Sequence, residues 1–265
     1  MTKILVDQLG NQHTFINTPK RIISLVPSQT ELLFDLGLED SIIGITKFCV
    51  HPFHLKSTKT IVGGTKNVKF NKIKELQPDI IICNKEENSK EIVDELSEIC
   101  PVWVTNVCSI EDNIKMIQDF GEIFNKRTNS SKWIDKINNA NAEFNTFILE
   151  KPSYKVAYFI WKNPYMVAGN NTFINELLSI NKFENVYKSK DRYPEVEIKD
   201  LVDDGNPDLI FLSSEPYPFK DKDGIEIGRI LQNAKIILVD GEMFSWHGTR
   251  LLKAFNYFRY LHNNI

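Results

Sequence analysis

The sequence predicts an α/β fold of two similar Rossmann-like lobes of parallel strands and helices, bridged by one long α-helix. Three observations carry that reading. Short apolar runs of strand length alternate with helical patterns through both halves of the chain. A phrase also recurs: Ile73-Lys74-Glu75-Leu76 then Pro78-Asp79-Ile80-Ile81, and Ile198-Lys199-Asp200-Leu201 then Pro207-Asp208-Leu209-Ile210. Between the two copies, Trp133, Ile134, Ile137, Phe144, Phe147 and Ile148 fall at helical spacing over 130–150, with no Gly or Pro. The expected organisation is a first lobe over 1–127 with a leading hairpin, a bridging helix over 128–151, and a second lobe over 152–265.

Taken in order, Ile4-Leu5-Val6 and His13-Thr14-Phe15-Ile16 flank the turn signal Gly10-Asn11 and predict a hairpin. Ile22–Val26 reads as a buried strand. Ser28-Gln29-Thr30-Glu31 fits a capping box, with Ser28 as the cap of a helix over Thr30–Leu36 that Gly37 ends. Strands follow at Ile42–Ile45, Ile80–Ile82 and Val102–Val104, and helices at Glu91–Leu96 and Asp112–Phe124. The long helix ends before Pro152, because the residue preceding a proline resists helical geometry. In the second half, strands are predicted at Tyr154–Ile160, Leu209–Leu212 and Ile236–Val239. Helices are predicted at Thr172–Leu178 and Thr249–Leu261. Each copy of the repeated phrase reads as helix, tight turn, buried strand.

Composition excludes several classes. With 265 residues, 42% hydrophobic and 25% charged, the chain has enough apolar content for a sizeable core. A net charge of −3, with neither half basic, speaks against nucleic-acid binding. No apolar run approaches the ~20 residues needed to span a bilayer. The opening Met1-Thr2-Lys3-Ile4 carries no secretory signal, so the expected location is cytoplasmic, or periplasmic or cell-surface where a signal lies outside this sequence. Cys49, Cys83, Cys100 and Cys108 form no C-x-x-C and read as reduced thiols. A G-x-G-x-x-G after a strand, a complete phosphate loop, a G-x-S-x-G elbow and an H-E-x-x-H are all lacking. No nucleophile has an evident partnered base, while an enzyme stays open because catalytic partners can lie far apart in sequence.

Ligand sites in such lobes form on loops leaving the carboxyl ends of strands. Those loops hold Pro27 and Ser28, then Phe48, Cys49 and His51, then Lys85 and Glu86 in the first half. In the second half they hold Trp161 and Tyr165, then Trp246, His247 and Arg250. A cleft between the lobes, walled by Phe48, Trp161 and Trp246, would suit a large, partly apolar ligand. His51 and His247 are candidate metal ligands, although a closed site needs three or four. Each residue also has a plainer reading. A Trp after a strand often covers core, and Cys49 fits a small buried hydrophobe.

Lys20-Arg21-Ile22-Ile23-Ser24-Leu25-Val26-Pro27-Ser28-Gln29-Thr30-Glu31-Leu32-Leu33 resembles the opening of helical-backbone substrate-binding proteins that serve ABC importers. The hairpin, the Pro78-Asp79 strand entry and the long helix fit the same family. Cobalamin-binding members are most similar, through Phe48-Cys49-Val50-His51-Pro52. The resemblance implies a monomeric binding protein without catalysis, needing no cofactor, whose ligand is cobalamin, haem or a ferric siderophore-like chelate. Two alternatives stay open: a free zinc, manganese or iron binder, and a cytoplasmic carrier or enzyme acting on a metallated tetrapyrrole. One departure stands out. Where transporter-coupled members carry an exposed glutamate in each lobe, this chain has Asn71 between Lys69 and Lys72, and Lys199 or Asp200. That departure points away from docking to a standard permease.

Overall fold

Ile22, Ile23, Ile80, Ile81 and Ile82 are fully buried, as expected of strands covered on both faces of a parallel sheet. The computed structural model describes residues 2–265 and divides them into two compact units. The first unit runs to Asn138 and also takes His247–Leu251. Its chain passes through β1 (Lys3–Val6), β2 (Gln12–Phe15), β3 (Ile22–Ser24), α1 (Pro27–Asp35), β4 (Ile42–Ile45), α2 (Leu55–Thr58) and β5 (Thr60–Ile61). It continues through α3 (Phe70–Leu76), β6 (Ile80–Asn84), α4 (Lys90–Ser97), β7 (Val102–Thr105), α5 (Ile110–Ile123) and the start of α6 (Arg127–Ile148). The hairpin β1–β2 pairs Lys3 with Phe15. The five-stranded sheet is parallel, in the order β5-β4-β3-β6-β7.

The second unit comprises Asn139–Trp246 and Leu252–Ile265. After the end of α6 come β8 (Tyr154–Trp161), β9 (Met166–Val167), α7 (Phe173–Ile180), β10 (Phe183–Asn185), α8 (Leu201–Asp204) and β11 (Leu209–Ser213). Then follow α9 (Asp221–Gly228), β12 (Lys235–Val239), α10 (Gly241–Ser245) and α11 (Leu251–His262). The parallel order is β10-β8-β11-β12, with β9 antiparallel on β8. One face is aromatic: Phe144 of α6 lies 5.5 Å from Phe255 of α11, and Phe183 lies 5.1 Å from Phe211. The other face is mixed, with Ala157, Phe159, Ile210, Leu212 and Ile227 at its centre.

The repeated Pro-Asp does the same work in both units. The Asp79 carboxylate accepts from the Lys20 and Arg21 backbone N–H at 2.8 and 3.0 Å, and the Asp79 N–H donates to the Arg21 carbonyl. The Asp208 carboxylate accepts from the Lys155 N–H at 2.8 Å, and the Asp208 N–H returns to the Lys155 carbonyl. Each aspartate thus pins the first residues of the neighbouring strand and sets its register.

Two expectations are corrected. Ser28 does not cap α1: the helix starts at Pro27 after Val26, and no side chain caps it. The Ser28 hydroxyl instead lies 3.3 Å from His247 Nδ1, and Glu31 forms an ion pair with Arg250. Tertiary partners outcompete the local box because both side chains are buried. The genuine capping box is Ser109 with Asp112, at the start of α5. The second correction concerns domain limits. His247–Leu251, expected in the second lobe, belongs to the first unit. Asn113 exchanges hydrogen bonds with the Gly248 backbone, and Thr249 binds the Asp35 carboxylate. Gly248 is required there: its φ is +87°, and an added Cβ would press on Leu32 at 3.3 Å.

Candidate ligand-binding site

Strand order locates the functional end of each unit. In the first, the chain leaves β3 to one side for β4 and β5, then returns to the other side for β6, so the order reverses between β3 and β6. In the second, it reverses between β8 and β11. Loops at the carboxyl ends of such strand pairs flank an open crevice, where α/β sheets bind ligands.

At the first reversal, α1 presents Pro27 and Ser28 and α1's Gln29 lies beneath them. All three are buried. The Gln29 amide donates to the Thr105 hydroxyl, which also receives the Asn84 amide at 3.0 Å and donates to the Cys83 carbonyl. This network forms a rigid polar floor. Around it, Lys85 is exposed and Glu86 half-buried, while Asn88 ties the segment to the Thr65 carbonyl at 2.9 Å. Burial pushes the Glu87 carboxyl up, against the opposing pull of Lys66 and Thr65. After β4, Phe48 is 49% exposed, with the Lys47 ammonium 4.9 Å above its ring. His51 is half-buried in the same loop.

At the second reversal, Trp161 ends β8 and is 39% exposed. Tyr217, in the loop after β11, meets it edge-on at 5.8 Å, and its N–H donates to the Ile160 carbonyl. Beside them, Lys162 reaches Asp223 at 2.9 Å and Glu226 at 2.7 Å. Its hydrogen bonds to Asp223 and then Glu226 raise its ammonium pKa, so it stays charged and held. Tyr165 is half-buried, with its hydroxyl 3.4 Å from Glu226.

Several expected contact residues lie elsewhere. Cys49 is fully buried, bracketed by the Thr30 and Thr46 hydroxyls at 3.1 and 3.2 Å, and burial raises its thiol pKa. It is part of the core. Trp246 is 7% exposed and donates to the Glu215 carboxylate at 2.7 Å, so it is no exposed wall. Arg250 is spent on Glu31. His247 is buried against Ser28, and its pKa is pulled down to about 4 by burial. Among the described residues no group of three or more His, Cys, Asp and Glu could hold a metal ion, so His51 and His247 lack the further ligands a metal site requires. Sequence reasoning missed Tyr217. The signal was available in Glu215-Pro216-Tyr217-Pro218, directly after a buried strand.

The low pKa of His247 has a measurable consequence. The unfolded chain takes up a proton at the ordinary value of 6.5, whereas the folded ring does so only near 4. Stability is therefore expected to fall as pH drops from about 6.5 toward 4. His262, pulled down to about 4 by burial in the second unit, adds to the slope. Thermal unfolding across this range should show it, and His247→Asn should flatten part of it; an unchanged slope contradicts the assignment.

The sequence profile of the periplasmic binding protein family matches residues 22–233. An uncharacterized ABC transporter substrate-binding lipoprotein of Bacillus subtilis is 23% identical over 263 residues, covering 95% of this chain and 82% of the relative. The crystal structure of the periplasmic vitamin B12 binding protein of Vibrio cholerae superposes with a TM-score of 0.79 at 18% identity, covering 93% and 98% of the two chains. A periplasmic heme binding protein from Pseudomonas aeruginosa gives 0.78 at 17% identity, covering 92% of each chain. At these identities the two structures speak for the fold. Among the described residues no helix is long and apolar enough to cross a membrane.

Proposed function

Because the chain belongs to the periplasmic binding protein family, we propose that it captures a large, partly apolar metal complex and delivers it unchanged to an ABC permease. The complex is a corrinoid, a haem or a ferric chelate. The observation that carries this reading is Trp161: a solvent-exposed indole at the strand-order reversal, braced edge-on by Tyr217. An exposed ring there gives up little packing and gains an apolar, polarizable surface for a ligand. Phe48 supplies the counterpart in the first unit. The names of the relatives support a place of action outside the cytoplasmic membrane rather than the cytoplasmic location expected from the sequence. A free divalent ion is a poorer candidate, given the lack of a ligand cluster among the described residues.

The test is incubation with hydroxocobalamin, haemin or a ferric siderophore, then gel filtration and mass spectrometry of the recovered ligand. One of the three is expected to co-elute at one per chain and to be recovered intact. Chemical alteration of the ligand contradicts the reading.

Delivery needs a docking surface. Glu75 and Asp200 occupy the same place in the repeated Ile-Lys-acid-Leu phrase, and both are exposed. They offer one carboxylate per unit to permease cations. Glu75→Arg with Asp200→Arg is expected to leave ligand affinity unchanged and lower ligand uptake by about tenfold or more. Unchanged uptake contradicts this docking assignment.

A further inference from the structure

The crevice loops of the first unit expose charge of one sign, and that sign narrows the ligand. Lys47 follows β4, Lys66 follows β5 and Lys85 follows β6, each beyond the carboxyl end of its strand. All three residues are exposed. Backbone bonds fix the loops that hold them. The Lys47 N–H donates to the Gly63 carbonyl at 2.8 Å, and the Lys85 N–H to the Thr105 carbonyl at 2.9 Å. Lys66 sits in the tight turn closed by the Gly63–Val68 bridge and by the Gly64 N–H on the Asn67 carbonyl. At Gly64 an added Cβ would come within 3.1 Å of the Phe48 ring and 3.6 Å of the Lys47 stem, so the first two loops touch there. The Asn88 amide joins the third loop to the second through the Thr65 carbonyl. The three lysines therefore stand on one continuous rim.

Two carboxylates share this rim, Glu86 and Glu87, and both are half-buried. The segment that carries them is closed on itself. The Asn84 N–H donates to the Asn88 side chain at 2.9 Å, and the Glu86 N–H to the Asn84 side chain at 2.8 Å. Lys66 lies near Glu87, but among the described residues none of the three lysines is in an ion pair. The charge that meets solvent on this rim is positive, in a chain whose net charge is −3. The second unit differs: Lys162, beside Trp161, is held by Asp223 and Glu226.

We infer that the captured complex bears anionic oxygens on its rim, carboxylate or phenolate, which meet Lys47, Lys66 and Lys85 while its apolar face lies on Phe48. This rests on the capture of a metal complex proposed above and narrows it to haem or an anionic ferric chelate. Lysine suits the task, because a compact ammonium on a flexible stem follows a single oxygen without the planar fork of arginine. The Lys47 ammonium, 4.9 Å from the centre of the Phe48 ring, sets one charge beside the apolar surface itself. A corrinoid, with a rim mostly of amides and no net negative charge, gains little from three ammoniums.

Calorimetric titration of the full chain against haemin, a ferric tris-catecholate, a neutral ferric trihydroxamate and hydroxocobalamin tests this. Haemin or the tris-catecholate is expected to bind about tenfold or more tighter than either of the other two. Haemin as the tighter of the pair assigns carboxylates, and the tris-catecholate assigns phenolates. Raising salt from about 0.05 to 0.5 M should erode the preference. Lys47→Gln, Lys66→Gln and Lys85→Gln combined should shrink it about tenfold or more, whereas Lys47→Arg, Lys66→Arg and Lys85→Arg combined should keep it. Thermal unfolding checks that both variants fold, as expected for exposed positions. Tighter binding of hydroxocobalamin or the trihydroxamate, or a preference indifferent to salt and to the glutamines, overturns the inference and leaves capture standing. Binding of none of the four overturns both.

Discussion

Replacing Glu31 with glutamine is expected to cost about 3–5 kcal/mol of stability, the usual range for stripping one partner from a buried ion pair. Glu31 and Arg250 are 6% and 4% exposed and joined by two hydrogen bonds of 2.7 and 2.9 Å. The variant leaves a guanidinium with little water and a weaker acceptor. The loss comes from a buried charge facing a weaker acceptor and not from the pair's net worth. Glu31→Leu with Arg250→Met should therefore recover much of it, because neither charge is left behind. Urea unfolding with a constant m-value measures both variants. A Glu31→Gln chain within about 1 kcal/mol of wild type would show that the pair is solvated and does not hold residues 247–251.

Trp161→Ala is expected to lower ligand affinity by about thirtyfold or more, the scale of an aromatic hot spot, while leaving unfolding within about 1 kcal/mol. Phe48→Ala should act in the same direction. The asymmetry follows from exposure: both rings are already two-fifths to one-half in solvent, so little packing is lost. Trp246→Ala should do the reverse. Its ring is buried and its N–H donates to Glu215, so the deletion opens a cavity and removes one hydrogen bond from a carboxylate oxygen that keeps the Ser245 hydroxyl. Calorimetric titration and thermal unfolding of the three variants separate the two effects. Equal affinity in wild type and Trp161→Ala would remove that indole from the binding surface.

Much of the architecture was legible because its signals are local. Buried parallel strands such as Ile80–Asn84 read as apolar runs, and the uninterrupted helical spacing over 130–150 matched α6. The Pro-Asp repeat proved informative because each aspartate performs the same register-setting job. Illegible elements lacked period or length. α9 contains Gly224 and Gly228, which lower helix propensity, and β9 and β10 are only two and three residues long. The site was harder still. Ser28 and Glu31 fit a capping box by spacing, but their actual partners lie 219 residues away. Trp161 ends β8 and Trp246 follows α10, and only the first is exposed. The difference lies in Glu215, which captures the second indole and leaves the first in solvent.

Titration calorimetry of the purified chain against a corrinoid, haemin and ferric siderophores addresses capture most directly. One-to-one binding of at least one complex, with Kd at or below about 10 µM, is the expected result. No saturable heat from any of them up to about 1 mM would contradict it.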